Sequence, residues 1–321
     1  MKLNRGDKQM IRPKRIVEKK VCLAKMLAAS AALLIMAGSA REAVSAPDRE
    51  RGVAIGTAAP RFSLPDRYGN IVSLDDYIGR KVILYFWVSW CICRDQLPLL
   101  QEFRGANPGV EFEIVSVSVD AQGARYVNPI ADMAKITYPA LLDTRAETAR
   151  LYHYPATPAT FLINEAGVVV GQYLMDFELK NEKTRKELEE FIAMPAVESP
   201  GPAAPKPSAS ELAGLVEKNP GNPVLRRRLA GLLQTSGDAS ASIAHWEALV
   251  EMDKKNCEDK FSLGSAYYSS GDTAKAIKYW KAAAKCDQTN YIYMRTAQSF
   301  ENPDNFYSED KMKDLYSDEL K

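Results

Sequence analysis

The segment FWVSWCICRDQLP, residues 86–98, carries two cysteines, Cys91 and Cys93, with a single residue between them. A thiolate is the nucleophile of disulfide exchange and also a soft metal ligand, so this pair favours either redox chemistry or metal binding. A third interpretation is that the short spacing has made the site inactive. The spacing itself permits a disulfide, because residues two apart can reach the Cα separation of about 4.4–6.8 Å that the bond requires.

The direction of the two side chains is the harder requirement. On a regular helix, side chains two residues apart point about 200° away from each other. The first turn after Cys91 must therefore unwind, or a disulfide to Cys93 must be strained. Since strained disulfides are easier to reduce, we predict a bridge that forms reversibly, with a higher reduction potential than a relaxed one.

A strand and a helix are predicted on either side of the cysteines. The apolar run VILYFWV (82–88) is typical of a buried strand, and CRDQLPLLQEF (93–103) has helical spacing. A cysteine at the start of a helix faces free backbone N–H groups and the positive end of the helix dipole, and both favour its thiolate. Trp90 offers an apolar surface beside Cys91.

The alternation of strand-like and helix-like segments continues to about residue 193. Strand-like runs cover 112–119, 159–164 and 168–174, the last two joined by a turn. RAETARLYHY (145–154) has helical spacing, and 179–193 reads as an amphipathic helix. Together these segments predict an α/β domain with a mixed central sheet flanked by helices.

Residues 56–178 resemble the extracytoplasmic thiol–disulfide oxidoreductases of the TlpA/ResA group, AhpC/TSA-Redoxin-like members of the thioredoxin superfamily. The matching positions are Pro60, Phe62, Leu64, Gly69, Leu74, Gly79, Phe86-Trp87, Trp90-Cys91, YPALLD (138–143) and YHYPATPATFLIN (152–164). The resemblance implies a thioredoxin-like fold, with Cys91 attacking a substrate disulfide and Cys93 resolving the mixed disulfide. It aligns Pro158 with the cis-proline of that group and implies that Trp90, Thr157 and Pro158 contact the substrate.

Two positions depart from the pattern of that group. The group has two residues between its cysteines, and this chain has only Ile92. Gln96 stands where reductases of the group commonly have a glutamate that handles the proton of the exchange. Because Gln cannot titrate, we expect proton transfer here to rely on water.

The C-terminal part of the chain repeats itself at an interval of 34 residues. The repeated pairs are Gly237 and Gly271, Ile243 and Ile277, Trp246 and Trp280, Ala248 and Ala282, Asp253 and Asp287, and Asn256 and Asn290. With LGSAYYSSGDTAKAIKYWKAA (263–283), this period resembles the tetratricopeptide repeat (TPR), a pair of antiparallel helices. The resemblance implies an all-α domain of helical hairpins, with a groove on which a peptide or protein docks.

Two further cysteines lie at opposite ends of the second repeat. Cys257 begins its first helix, and Cys286 lies near the end of its second helix. In an antiparallel helix pair these two ends are neighbours, so we predict a structural disulfide between them. A pair of buried free thiols is the alternative.

Basic residues are concentrated at the N-terminus. The first 25 residues hold nine Lys and Arg and two acidic residues, whereas the remainder carries 33 basic and 39 acidic side chains. Such an acidic body argues against nucleic-acid binding. The apolar segment Met26–Gly38 is too short for a bilayer span, so the pattern predicts a signal peptide with cleavage after Ala40. A retained N-terminal anchor is the alternative.

The predicted organisation has six parts. They are a signal peptide or anchor (1–40), a tether (41–55), a thioredoxin-like domain (56–193), a proline-rich linker (194–210), a TPR-like helical domain (211–301) and a polar tail (302–321). Either N-terminal interpretation puts the body outside the cytoplasm. In an oxidising compartment, the four cysteines other than Cys22 favour two pairs.

The combined prediction is a periplasmic or otherwise extracytoplasmic thiol–disulfide oxidoreductase that needs no cofactor and no metal. Its expected partners are protein thiol or disulfide substrates, an upstream redox protein and a protein docked on the repeats. The membrane is a partner only if the N-terminal segment is retained. The TlpA/ResA resemblance also implies a role in cytochrome c maturation.

Two alternatives to the enzyme stay open. One is a copper-binding or copper-delivery module, since two thiolates suit copper(I), with His153 and His245 as the available histidines. The other is a redox-inactive scaffold that works through the groove of the repeats.

Overall fold

The computed structural model describes residues 51–199, 201 and 206–303. The predicted signal peptide or anchor, the first part of the tether and nearly all of the polar tail lie outside the described residues. Within the described ranges, no helix combines the length and the apolar character that crossing a bilayer requires.

A five-stranded mixed sheet forms the centre of the first half of the described chain. The strands are β1 (Ser63–Pro65), β2 (Ile71–Ser73), β3 (Lys81–Trp87), β4 (Phe112–Ser118), β5 (Ala140–Leu142), β6 (Ala159–Ile163) and β7 (Val169–Leu174). β1 and β2 pair with each other, and the main sheet has the order β5-β4-β3-β6-β7. β3 runs parallel to β4 and antiparallel to β6, so the prediction of a mixed sheet is confirmed.

Four helices belong to this α/β half. They are α1 (Gln96–Ala106), α2 (Ala124–Met133), α3 (Glu147–Leu151) and α4 (Glu182–Ala193). All seven residues of β3 are buried, which explains the unbroken apolar run in the sequence. α3 is shorter than the spacing of 145–154 suggested, because Ala146 and His153 take positive φ angles of 50° and 52° on either side of it.

The second half of the described chain is helical. Its helices are α5 (Ala209–Lys218), α6 (Pro223–Thr235), α7 (Ala239–Met252), α8 (Cys257–Ser269), α9 (Thr273–Cys286) and α10 (Tyr291–Glu301). An Asn or Asp side chain caps the start of each helix from α6 to α10 by accepting a backbone N–H. The caps are Asn222, Asn256 and Asn290 in one series and Asp238 and Asp272 in another, each at intervals of 34 residues.

A disulfide joins Cys257 to Cys286, with 5.5 Å between their Cα atoms. Cys257 is the first residue of α8, and Cys286 is the last residue of α9. The bond therefore closes the open end of this helical hairpin.

The two halves share one continuous hydrophobic core. Polar contacts also cross between them: the Ser265 hydroxyl donates to the Thr144 carbonyl oxygen at 2.6 Å, and Arg145 Nη1 donates to the Gly231 carbonyl oxygen at 3.1 Å. The helical half is thus packed against loops of the sheet domain.

Candidate active site

Cys91 lies just after β3, where the chain turns into α1. Ile92–Asp95 form a single 3₁₀ turn ahead of α1, and Cys91 caps that turn from an extended conformation, with φ −102° and ψ 142°. The Cys91 sulfur accepts a hydrogen bond from the backbone N–H of Cys93 at 3.2 Å. Cys91 therefore stands outside the helical turn, and the opposed side-chain directions of a regular α-helix do not apply to this pair.

The two thiols differ in exposure and in acidity. Both are free; Cys91 is half-buried and Cys93 is buried. A hydrogen bond from the Cys93 thiol is the main cause that lowers the pKa of Cys91 from 9.0 to about 7; burial opposes the shift, and the Cys93 N–H, Thr157 and Arg94 support it. Burial, followed by the adjacent Cys91 sulfur, raises the pKa of Cys93 well above its ordinary value. The accessible sulfur is thus the more acidic one, and the buried sulfur keeps its proton.

The loop before β6 faces both sulfurs. The Thr157–Pro158 peptide bond is cis. Cys91 Sγ lies 3.9 Å from the Thr157 carbonyl oxygen, and Cys93 Sγ lies 3.8 Å from the Thr157 hydroxyl. The structure therefore brings both cysteines and the Thr157–Pro158 segment, all of them predicted site residues, to one place.

Cys91 opens into a cleft of about 490 Å³. Trp90 lines one side of this cleft, and residues 155–157 line another. A third side comes from the helical half, because Tyr291 and Arg295 of α10 also line the cleft. The Tyr291 ring centre lies 6.0 Å from that of Trp90, and the Arg295 guanidinium carbon lies 5.3 Å from the Trp90 ring centre.

A buried polar network holds the chain just ahead of Cys91. The Asp120 carboxylate accepts hydrogen bonds from the Ser89 N–H at 2.8 Å, from the Ser89 hydroxyl and from the Ser118 hydroxyl at 2.6 Å. The buried guanidinium of Arg94 donates to the Ser89 carbonyl oxygen. Burial raises the pKa of Asp120, although these hydrogen bonds oppose the shift. Ser89, two residues before Cys91, is therefore held by Asp120 through its N–H and hydroxyl and by Arg94 through its carbonyl oxygen.

Gln96 has a structural role in place of the absent glutamate. Its side chain is buried, and its Oε1 accepts the backbone N–H of Leu179 at 2.8 Å. Its Nε2 donates to Glu178 Oε1 at 3.1 Å. Gln96 therefore ties the segment after β7 to the start of α1.

Neither histidine forms a metal site with the cysteines. Among residues 51–199, 201 and 206–303, no group of three His, Cys, Asp or Glu side chains is placed to hold a metal ion. The carbonyl oxygen of His153 accepts the Gly52 N–H at 3.1 Å, and the side chain of His153 is exposed. His245 lies on α7, where its Nδ1 is 3.3 Å from Arg226 Nη1.

Sequence reasoning missed two groups of residues at this site. Asp120 lies 29 residues beyond Cys91, and Tyr291 and Arg295 lie in what the sequence predicted to be a separate helical domain. No motif marks either group, because both reach the site only through packing. An aspartate directly after the apolar run 112–119 is the one sequence signal that marks Asp120.

Comparison with known proteins places the α/β half in a family. Residues 55–172 match the AhpC/TSA family. The chain is 36% identical over 94 residues to the sporulation thiol–disulfide oxidoreductase A of Bacillus subtilis, a match that covers 28% of this chain and 57% of that protein. It thus spans little more than half the length of this relative. The thioredoxin domain of a thiol–disulfide oxidoreductase from Bacteroides vulgatus, a solved structure, is 26% identical; the match covers 44% of this chain and 99% of that one, with a TM-score of 0.39.

Two further relatives are covered over most of their length. The thiol–disulfide oxidoreductase ResA of Bacillus thuringiensis is 28% identical over 145 residues, which are 45% of this chain and 80% of that protein. The thioredoxin-like protein YneN of Bacillus subtilis is 30% identical over 147 residues, which are 45% of this chain and 82% of that protein. Because these matches span most of each relative and the chain has a dithiol just ahead of α1, it belongs to the AhpC/TSA family and, within it, to the thioredoxin-like thiol–disulfide oxidoreductases of the ResA type.

Proposed function

We propose that this protein exchanges disulfides with cysteines of other proteins outside the cytoplasm, with Cys91 as the attacking thiolate and Cys93 as the resolving thiol. The asymmetry of the pair carries the proposal. Cys91 is half-buried and its pKa is lowered to about 7, whereas Cys93 is buried and its pKa is raised. An attacking sulfur needs both access and thiolate character, and a resolving sulfur needs to lie close behind it.

The proposed reaction transfers two electrons. The Cys91 thiolate attacks one sulfur of a substrate disulfide, a mixed disulfide forms, and the other substrate sulfur leaves with the bonding electron pair. Cys93 then loses its proton to solvent and attacks Cys91, which releases the second substrate thiolate. The substrate gains two electrons and two protons, and the protein is left with a Cys91–Cys93 disulfide that an upstream redox protein must reduce.

Thr157 and Pro158 are proposed to position the substrate. The Thr157 carbonyl oxygen lies 3.9 Å from Cys91 Sγ, so a substrate chain that pairs with this backbone would carry its cysteine to the nucleophile. Trp90 would cover the apolar part of the same segment. Both roles follow the expectation that the TlpA/ResA resemblance supplies.

The location and the clients are part of the proposal. The N-terminal pattern of residues 1–40 supports export or anchoring, and the 34-residue series of helix caps supports TPR-type hairpins that dock a protein partner. The TlpA/ResA resemblance favours clients whose cysteines must be reduced before haem attachment, as in cytochrome c maturation. We propose no cofactor and no nucleic-acid partner.

Reduction of insulin by dithiothreitol, with and without the protein, tests the proposal. Wild-type protein is expected to accelerate the reaction, and Cys91→Ser is expected to abolish the acceleration. A Cys257→Ser, Cys286→Ser double variant keeps the proposed redox pair and serves as the control. Equal rates for wild type and Cys91→Ser would rule out Cys91 as the nucleophile.

A further inference from the structure

The last helix of the chain is fixed beside the redox centre. At its first residue, the Tyr291 N–H donates to the Pro155 carbonyl oxygen at 3.0 Å, two residues ahead of Thr157. Near its end, Ser299 accepts a hydrogen bond from Gln122 Nε2 at 3.3 Å. Between them, Ile292 and Tyr293 are buried in the core that both halves share. α10 is therefore held at both ends by the α/β half.

Residues at the start of α10, and Thr289 just ahead of it, line the cleft that contains Cys91. Thr289, Tyr291 and Arg295 line this cleft together with Trp90 and Cys91. The Arg295 guanidinium lies within cation–π distance of two aromatic rings, 5.3 Å from the centre of Trp90 and 5.5 Å from that of Tyr291. These contacts and a hydrogen bond to Gln298 Oε1 at 3.3 Å orient its charge.

Two exposed apolar side chains also line the cleft. Ile92 directly follows Cys91 and is 75% exposed, and Met175 is 59% exposed. Exposed large apolar side chains beside a reactive group are typical of a surface that receives a chain. A cleft with apolar, aromatic and backbone walls suits an extended peptide segment, whose side chains alternate between the two sides.

Two basic residues line the cleft in the part of the chain that the structure describes. Arg51 and Arg295 line it, and no Asp or Glu of the described residues does. We infer that α10 completes the substrate site and that Arg295 selects client segments that carry an Asp or Glu side chain next to the reactive cysteine. The inference rests on the proposed function, since it names the clients of that same site. Complementary charge favours encounter and register more than it favours raw affinity.

A trapping reaction tests this inference apart from turnover. The parent protein is the full chain with Cys22→Ser and Cys93→Ser, so that Cys91 is its free thiol. The probes are three peptides of one sequence, each with a single cysteine activated as a mixed disulfide with thionitrobenzoate, and with Asp, Asn or Lys beside the cysteine. The Cys91 thiolate attacks the peptide sulfur, a Cys91–peptide disulfide forms, the original S–S bond breaks, and thionitrobenzoate leaves with the bonding electron pair.

The expected order of second-order rate constants is Asp above Asn above Lys, with a step of about two- to fivefold at low salt. Arg295→Gln in the parent is expected to reduce the ratio of the Asp rate to the Asn rate to the part that Arg51 supplies, whereas Arg295→Lys keeps the preference. Arg185→Gln, the same substitution at an exposed position of α4, is the matched control and is expected to keep the full preference. Added salt should reduce the preference in the parent, which tests the charge without any substitution at Arg295.

Equal rates for the three peptides in the parent at low salt would overturn the inference, as would a full preference that survives Arg295→Gln. The two levels of the proposal fail differently. If wild type reduces insulin while the peptides show no charge preference, only the role of Arg295 is wrong. If wild type fails to reduce insulin, the proposed enzyme is wrong, whatever the peptides show.

Discussion

The backbone N–H of Cys93 donates to the sulfur of Cys91 over 3.2 Å, while the thiol of Cys93 lies buried behind it. One residue thus supplies both a donor that stabilises the Cys91 thiolate and the second sulfur of the pair. The single-residue spacing makes this possible, because Cys91 caps the 3₁₀ turn that contains Cys93. The shortened motif therefore keeps the asymmetry that dithiol exchange requires.

The rate of Cys91 alkylation should depend on pH with a midpoint near neutral, because the reaction requires the thiolate. Its pKa is lowered from 9.0 to about 7, so the reactive thiolate is present above that value and is lost as the pH falls through it. The measurement is the rate of iodoacetamide labelling of the Cys91 peptide by mass spectrometry as a function of pH. A midpoint near 9.0, the ordinary value, would contradict this prediction.

Replacing Cys93 should separate the two donors that act on Cys91. Cys93→Ala removes the thiol, the main cause of the lowered Cys91 pKa, and keeps the backbone N–H. The labelling midpoint should therefore rise toward 9.0. Cys93→Ser is the matched control, since a hydroxyl also donates, and should keep a lower midpoint than Cys93→Ala. The same midpoint in both variants would mean that the side chain at this position has no part in the shift.

Lengthening the motif should make the disulfide harder to reduce. Because Cys91 lies outside the helical turn, the expected strain comes from the small ring that a disulfide across one residue closes. An Ala inserted after Ile92 restores two residues between the cysteines and enlarges that ring, and a less strained bridge has a lower reduction potential. The oxidised fraction of the Cys91–Cys93 pair, measured by alkylation after equilibration in glutathione buffers, should be higher in the insertion variant than in wild type. Ile92→Ala without an insertion is the control. A bridge that is equally or more easily reduced in the insertion variant would show that the short spacing imposes no strain.

Gly264 should not tolerate a side chain. A Cβ atom there would lie 2.7 Å from Trp280 Cδ1 and 3.1 Å from the Ala276 carbonyl oxygen, so α8 and α9 would have to move apart. Gly264→Ala should lower the free energy of unfolding by about 1–3 kcal/mol, measured by urea denaturation.

Gly214 provides the matched control for that substitution. It lies within α5, and a Cβ atom there would meet nothing within 4 Å. Gly214→Ala should therefore stabilise the protein, by up to about 1 kcal/mol, because Ala is the better helix former. Equal effects of the two substitutions would show that the Trp280 contact does not restrict α8.

Much of the α/β half could be predicted from the sequence because its signals are local. The apolar run at 82–88 became β3, and the turn signals between 159–164 and 168–174 separated β6 from β7. The 34-residue interval appears again as Asn and Asp helix caps, since each cap depends only on the backbone a few residues ahead. A longer helix was predicted at 145–154, but the backbone takes positive φ angles at Ala146 and His153 and ends the helix there. Hydrophobic periodicity does not predict such backbone angles.

The sequence by itself determined two features: the strand, turn and helix around Cys91, and the repeated helical hairpins of the second half. Both depend on hydrophobic periodicity and helix capping, which act over a few residues. Only the tertiary structure decided that Asp120 holds Ser89 and that Arg295 stands over Trp90. Those contacts join surfaces of separate elements. They are stabilised by burial and by electrostatic attraction in the folded protein, and the spacing of residues along the chain does not predict them.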